Sequence, residues 1–214
     1  MSFTRLHIAV FLAVAVLAWG GVLLAQDAPL SFSQLAPFGT VVSVLALFAL
    51  ALEKVLWHLS WLHGWFIARP DLRGTWKVSL QSDWVDPKTG QPIPPISCYM
   101  GVEQSLSKLQ MHLMTAESES WFVAETVRPS PSENGYQVVA VYTNKPHVHL
   151  RSKTSNMHLG AVVIDTHGPL KSRPETLTAE YWTDRKTTGS MTFTDRVDRV
   201  FTRYTDAAAA FSRV

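Results

Sequence analysis

Apolar and polar positions follow two rhythms along the chain, and the rhythm changes at Arg69-Pro70. Ahead of that point, Ile8–Ala25 carries no charge and is apolar apart from Gly20 and Gly21. A second uncharged run extends from Ala28 to Leu52 and is apolar from Val41 onward apart from Ser43. A helix crossing the hydrocarbon core needs about 20 apolar residues, so spans are predicted over about 7–25 and 35–62. Arg5 before the first run and Ala25 at its end also suit a cleaved signal peptide. The run exceeds a usual signal core, however, and Leu23 is a poor small residue before a cleavage point, so an uncleaved anchor is expected. The short link Gln26–Gln34 predicts a tight helical hairpin. Trp57, Trp61 and Trp65 recur at i, i+4 and i+8, which predicts one helical face forming an aromatic belt with His58 and His63 where the second span leaves the bilayer.

Beyond Pro70 the period is two. A residue before proline is pushed out of the α region, so the helical pattern ends at Arg69. Trp76, Val78 and Leu80 alternate with Lys77, Ser79 and Gln81, and Leu109, Met111 and Leu113 alternate with Gln110 and His112. Similar runs occupy Ile96–Gln104, Ser118–Val127, Tyr136–Tyr142, His158–Asp165, Leu177–Thr183 and Ser190–Arg196. Clusters rich in Pro, Gly, Ser, Thr and Asn separate them. The predicted class is α plus all-β: a two-helix transmembrane hairpin in residues 1–69, then an eight-stranded antiparallel β-barrel in 70–205. Closure is favoured over an open sheet because no long helical segment is available to cover strand edges. Residues 206–214 are expected to be a C-terminal tail with at most a helical turn at Asp206–Ala210.

Charge supports this division. Residues 1–69 hold five charged side chains (Arg5, Asp27, Glu53, Lys54 and Arg69), whereas residues 70–214 carry 16 basic and 15 acidic groups. That distribution excludes a single globular domain and a polytopic transporter. Near-neutrality of the second part is far from the basic stripe of a nucleic-acid binder, so neither DNA nor RNA is an expected partner. Any anionic ligand must be held by a few placed residues. Arg5 precedes the first span, the connecting loop has no basic residue, and Lys54, Arg69, Arg73 and Lys77 follow the second. The positive-inside rule then orients both termini and the barrel of a multi-pass membrane protein toward the cytoplasm. One cysteine, Cys98, allows no intramolecular disulfide.

Catalytic motifs are missing: there is no phosphate-cradling Gly-rich loop, no Gly-x-Ser-x-Gly elbow and no cysteine pair for zinc. His147, His149 and His158 lack an acidic partner at fixed spacing and read as loop histidines. Glu117, Glu119 and Glu125 alternate on one predicted strand face without a second carboxylate in a contrasting environment. No catalytic residue, metal or cofactor is therefore expected. A polar-aromatic set does stand at strand ends. Tyr142-Thr143-Asn144-Lys145-Pro146 closes one strand, Tyr181 to Gly189 closes another, and Ser118-Glu119-Ser120-Trp121 opens a third. Rings stack bases, Arg neutralises a phosphate, and hydroxyls and amides read base edges and ribose. The candidate ligand set is Ser118, Ser120, Tyr142, Asn144, Trp182, Arg185 and Thr187. On spacing alone, turns and core aromatics explain the same residues.

These elements resemble a known family, the two-transmembrane, β-strand-rich effectors of bacterial CBASS antiphage signalling that partner CD-NTase synthases. The resemblance is carried by the two spans, Arg69-Pro70-Asp71-Leu72-Arg73-Gly74-Thr75-Trp76, Val102-Glu103-Gln104, Glu117-Ser118-Glu119-Ser120, Val141 to Pro146, His158-Leu159-Gly160-Ala161 and Leu177 to Gly189. Ala179 stands where the family pattern has glycine. The resemblance implies a cytoplasmic barrel that binds a cyclic dinucleotide made by a partner CD-NTase. It further implies assembly into a homo-oligomer and disruption of the lipid bilayer. A lipocalin-like barrel is the alternative, since Gly74-Thr75-Trp76 and Thr183-Asp184-Arg185 are similar to lipocalin signatures. In that reading Trp76 plugs one end under Arg185 or Arg196. A membrane-tethered scaffold is the third.

Overall fold

A computed structural model describes residues 32–63, 66–131, 135–150, 157–167 and 173–213, together with helical positions between Ala9 and Leu24. Packing divides the chain into two compact units, one of residues 1–58 with 105–107 and one of residues 59–104 with 108–214.

The first unit contains helix α1, Phe32–Lys54, of 23 residues. Its end is fixed chemically: the Glu53 carboxylate accepts hydrogen bonds from the Ser105 hydroxyl at 2.5 Å and the Ser107 hydroxyl at 2.7 Å. The expected continuation to residue 62 does not occur. Leu56–His58 and Ser60–Leu62 are separate 3-10 turns, and Leu59 between them is extended (φ −65°, ψ 122°). Trp57 and Trp61 consequently do not share a helical face; Trp57 is fully buried and Trp61 is 65% exposed. Trp65, the third member of the expected belt, lies outside the described residues, as does part of the expected first span, whose described positions are helical. Among the described residues no helix is long and apolar enough to cross a membrane.

The second unit is a closed antiparallel barrel in which each strand pairs with its sequence neighbours and the last pairs with the first. Its strands are β1 (Gly74–Ser82), β2 (Ile96–Gln104), β3 (Leu109–Met114), β4 (Ser118–Pro129), β5 (Tyr136–Pro146), β6 (His158–Thr166), β7 (Leu177–Thr183) and β8 (Thr188–Val197). All eight predicted strands are present. Alternation dictates the interior: Trp76, Val78, Cys98, Met111, Val138, Ile164, Leu177 and Phe193 belong to one buried cluster, while the intervening side chains face outward. A bulge between Phe122 and Ala124 shifts the β4 register. Glu119 opposes Lys145, but Glu125 opposes the inward-facing Ala140. The expected single face of Glu117, Glu119 and Glu125 is therefore broken.

Trp76 closes one end. Its indole N–H donates to the Leu72 carbonyl at 2.9 Å, and the Arg196 guanidinium lies 4.6 Å from its ring centre. The plug expected from the lipocalin-like pattern is thus present, with Arg196 rather than Arg185 over the tryptophan. Asp71 pairs there with Arg73 at 2.9 Å and Arg173 at 3.5 Å. Residues 206–214 are not merely a tail. Helix α2, Tyr204–Phe211, lays Tyr204, Ala207, Ala208 and Phe211 on Tyr99 and Met114 of the outer barrel wall, an i, i+3, i+4, i+7 stripe.

Candidate functional site

Opposite the Trp76 end, the barrel core stops short and leaves an open cavity of about 760 Å³. Small-molecule sites commonly occupy about 300–1,000 Å³. Met100, Leu113, Val162 and Met191 make the apolar floor, and the β1–β2 connection contributes Trp84, Ile93 and Pro94 to the rim. Toward the mouth the inward positions turn polar, because each strand's alternation carries its final inward residue beyond the apolar core. Ser120, Tyr142, Asn144, Tyr181, Thr183 and Thr187 occupy these places, with Arg185 from the β7–β8 turn.

Two glycines determine the shape of this mouth. Gly160 stands directly across the β5–β6 ladder from Tyr142, and Gly189 across the β7–β8 ladder from Tyr181. A Cβ on Gly160 would run into Tyr142 Cζ and Oη, and one on Gly189 would lie 2.6 Å from Tyr181 Oη. Each tyrosine ring therefore lies over a bare backbone patch instead of filling the cavity. Burial raises the Tyr142 phenol pKa, helped by Tyr181 and Asp184, and burial likewise raises that of Tyr181. Both are neutral at physiological pH and available as hydrogen-bond donors.

The β7–β8 turn is held by Thr183, whose hydroxyl oxygen accepts the backbone N–H groups of Arg185 (3.3 Å) and Thr187 (3.4 Å). Lys186 takes the left-handed conformation, φ 61°. Arg185 is exposed at the rim and forms no ion pair with a described residue; Asp184 instead accepts the Leu159 N–H at 3.2 Å. On the opposite wall the Asn144 amide donates to Ser118 Oγ at 3.1 Å and Ser120 Oγ at 2.9 Å.

Of the sequence-predicted ligand residues, Ser120, Tyr142, Asn144, Arg185 and Thr187 line one cavity, and Ser118 stands behind Asn144. Trp182 is not brought together with them. It follows the inward Tyr181 by one position, so it faces outward and is 47% exposed. The ligand set drawn from the sequence left out Tyr181 and Thr183, although they stand in the polar-aromatic segment, and Trp84 and His158, the latter read as a loop histidine; all four line the cavity. The parity of Leu177, Ala179, Tyr181 and Thr183 was the available signal for the first two. Trp84 and His158 had none, since the first lies in a loop and the second begins a strand.

Cys98 is buried, and burial pushes its thiol pKa up to about 12, which keeps it protonated and unreactive. Among the described residues no group of three His, Cys, Asp or Glu side chains is placed to hold a metal ion. The arrangement is a receptacle: apolar floor, aromatic and hydroxyl walls, one guanidinium at the rim. No curated protein matches the chain. The family model described as Cap15, cyclic dinucleotide receptor domain, matches residues 67–195, more than half of the chain and every strand that lines the cavity. The chain therefore belongs to the Cap15 family of cyclic dinucleotide receptor domains, which associates it with the CBASS effectors.

Proposed function

We propose that the open end of the barrel binds a cyclic dinucleotide and that binding drives assembly and membrane disruption in antiphage defence. The observation that carries the reading is the convergence of five sequence-predicted ligand residues on one cavity within the family-matched segment. Arg185 neutralises a phosphate, Tyr142 and Tyr181 offer rings and phenolic donors, and Thr187 contacts the sugar-phosphate frame. Ser120 and Asn144 supply the polar wall. The second messenger comes from a partner CD-NTase. A ligand shifts an assembly equilibrium only by binding the assembled form more tightly, so the occupied mouth favours contact between copies. The anchor rests on the sequence: two uncharged runs, Ile8–Ala25 and Ala28–Leu52, the second overlapping most of α1 with exposed Leu47, Phe48 and Leu50. Basic flanks place both termini and the barrel in the cytoplasm.

Calorimetric titration of the full chain in detergent with cyclic di-AMP, cyclic di-GMP, cyclic di-CMP and cyclic di-UMP tests the binding step. Saturable binding of at least one of them at micromolar affinity or better, with linear dinucleotides weaker, is expected. Silence across cyclic dinucleotides, together with saturable binding of a fatty acid or other apolar ligand, would replace this reading by the lipocalin-like one. Dye leakage from vesicles holding the full chain, triggered by the bound cyclic dinucleotide, tests the membrane step.

A further inference from the structure

The polar wall formed by Asn144 and Ser120 has a definite hydrogen-bond polarity. Thr115 sets it. The Thr115 hydroxyl oxygen accepts the N–H groups of Glu117 (3.1 Å) and Ser118 (2.8 Å), while its hydrogen is directed to the Ser118 carbonyl (3.0 Å). Ser118 Oγ lies 3.2 Å from Thr115 Oγ1. With both threonine lone pairs filled by those N–H groups, its hydrogen is shared between the Ser118 carbonyl and Ser118 Oγ, and Ser118 Oγ turns its other lone pair toward Asn144. Asn144 Nδ2 fills that lone pair at 3.1 Å and spends its other hydrogen on Ser120 Oγ at 2.9 Å. Both amide hydrogens are thereby used.

Two functions remain unspent. Asn144 Oδ1 accepts from no described residue, and the Ser120 hydroxyl hydrogen, on a residue only 7% exposed, reaches no described acceptor. Both residues line the cavity. The wall accordingly presents an acceptor and a donor side by side, joined through the amide they share. A phosphate offers acceptors only and would set its charge against Asn144 Oδ1. A nucleobase edge carries an N–H donor next to a carbonyl or ring-nitrogen acceptor, and sites that read extruded bases use that edge.

On the premise that the cavity takes a cyclic dinucleotide, we infer that Asn144 and Ser120 read the hydrogen-bonding edge of one base, with Ser118 and Thr115 as positioning residues. The phosphates belong to the Arg185 side. The site therefore requires an N–H donor on the base and rejects a base alkylated at that nitrogen. A site built around a buried hydrogen bond discriminates strongly against an analogue lacking the partner group.

The test uses the full chain in detergent and the tightest binder among the four cyclic homodinucleotides named above. Its counterpart is fully methylated at the base donor nitrogen: N3 of uracil, N1 of guanine, or the exocyclic amine of adenine or cytosine. Wild type is expected to bind the methylated ligand at least tenfold more weakly. Asn144→Ala should reduce that ratio to within about twofold, whereas Arg185→Ala should weaken both ligands and preserve it. Ser118→Ala should lower the ratio more than it lowers affinity for the methylated ligand, a change that simple loss of stability does not produce. Equal binding of the two ligands by wild type overturns the inference while leaving the proposed function standing. An undiminished ratio in Asn144→Ala overturns it too, because the methyl group then clashes elsewhere. Silence toward cyclic dinucleotides, mixed-base ones included, together with saturable binding of an apolar ligand, removes the proposed function and this inference with it. The wild-type comparison needs no variant and decides the matter even if Asn144→Ala fails to fold.

Discussion

Replacing Gly160 by alanine should damage the binding mouth through one side chain. The added Cβ would meet Tyr142 Cζ and Oη well inside any real contact distance and would lie 2.8 Å from the Trp182 carbonyl oxygen. Carbon atoms settle at about 3.5–4.0 Å, so the phenol must move by at least about 1 Å. Trp182 belongs to the β6–β7 ladder and is not free to yield, which leaves the ring one direction to go, into the cavity. Overpacking of this kind costs about 1–3 kcal/mol. For a chain of this size each kcal/mol lowers Tm by roughly 2–4 °C, giving a fall of about 2–12 °C. Calorimetry should show affinity for the cyclic dinucleotide lowered by about tenfold or more, because the ring occupies space the ligand needs. The double variant Gly160→Ala/Tyr142→Ala supplies the control. With the ring gone the new methyl has room, so the double variant should be less destabilised than the sum of the singles. Additive losses, or a Gly160→Ala protein with unchanged Tm and affinity, would refute the claim that Gly160 holds Tyr142 off the cavity.

Arg185→Ala should lower affinity about tenfold with Tm essentially unchanged, since Arg185 is exposed and makes no ion pair with a described residue; calorimetry and thermal melts on one preparation read both. Asp71 governs acid stability at the plugged end. Burial alone would raise its pKa, but the Arg73 hydrogen bonds and the charges of Arg73 and Arg173 outweigh burial and hold it below 3.8. Its contribution is therefore complete above that value and is lost as pH falls through the folded pKa. Asp71→Asn should flatten the stability profile in that acid window, read by denaturant midpoints from pH 5 downward. Removing residues 204–214 should strip Tyr99 and Met114 of their cover and cost roughly 2–4 kcal/mol, seen as a lower Tm with ligand affinity retained.

The barrel was legible because strand periodicity is a local property. Trp76, Val78 and Leu80 alternate with polar neighbours, and the same rhythm recurs eight times between turn clusters. Parity errors came where a local feature resets the count. The bulge at Phe122 and Ala124 moved Glu125 off the face of Glu119. Trp182 was grouped with the ligand residues although Leu177 and Ala179 already assign Tyr181, not Trp182, to the interior. Helix length was less legible. The spacing of Trp57, Trp61 and Trp65 suits a continuous helix, yet the chain breaks after Lys54 into short turns around an extended Leu59. Nothing in those residues is a strong breaker. Helix α2 displays its apolar stripe openly, but eight residues are marginal as an isolated helix and depend on Tyr99 and Met114 for support. The cavity itself was legible only as a set of residue types. Its volume follows from Gly160 and Gly189 standing opposite two tyrosines, and such pairing depends on register, which single-strand patterns do not specify.

Photocrosslinking the full chain with a cyclic dinucleotide that carries a photoreactive base, followed by peptide mapping, tests the central claim most directly. Label should fall on the mouth, in peptides holding Ser120, Tyr142–Asn144 or Tyr181–Thr187, and excess unmodified cyclic dinucleotide should abolish it. Competable label at Arg73, Arg173 or Asp198 instead, the far side of the barrel from this cavity, would contradict the assignment of the open end as the receptor site.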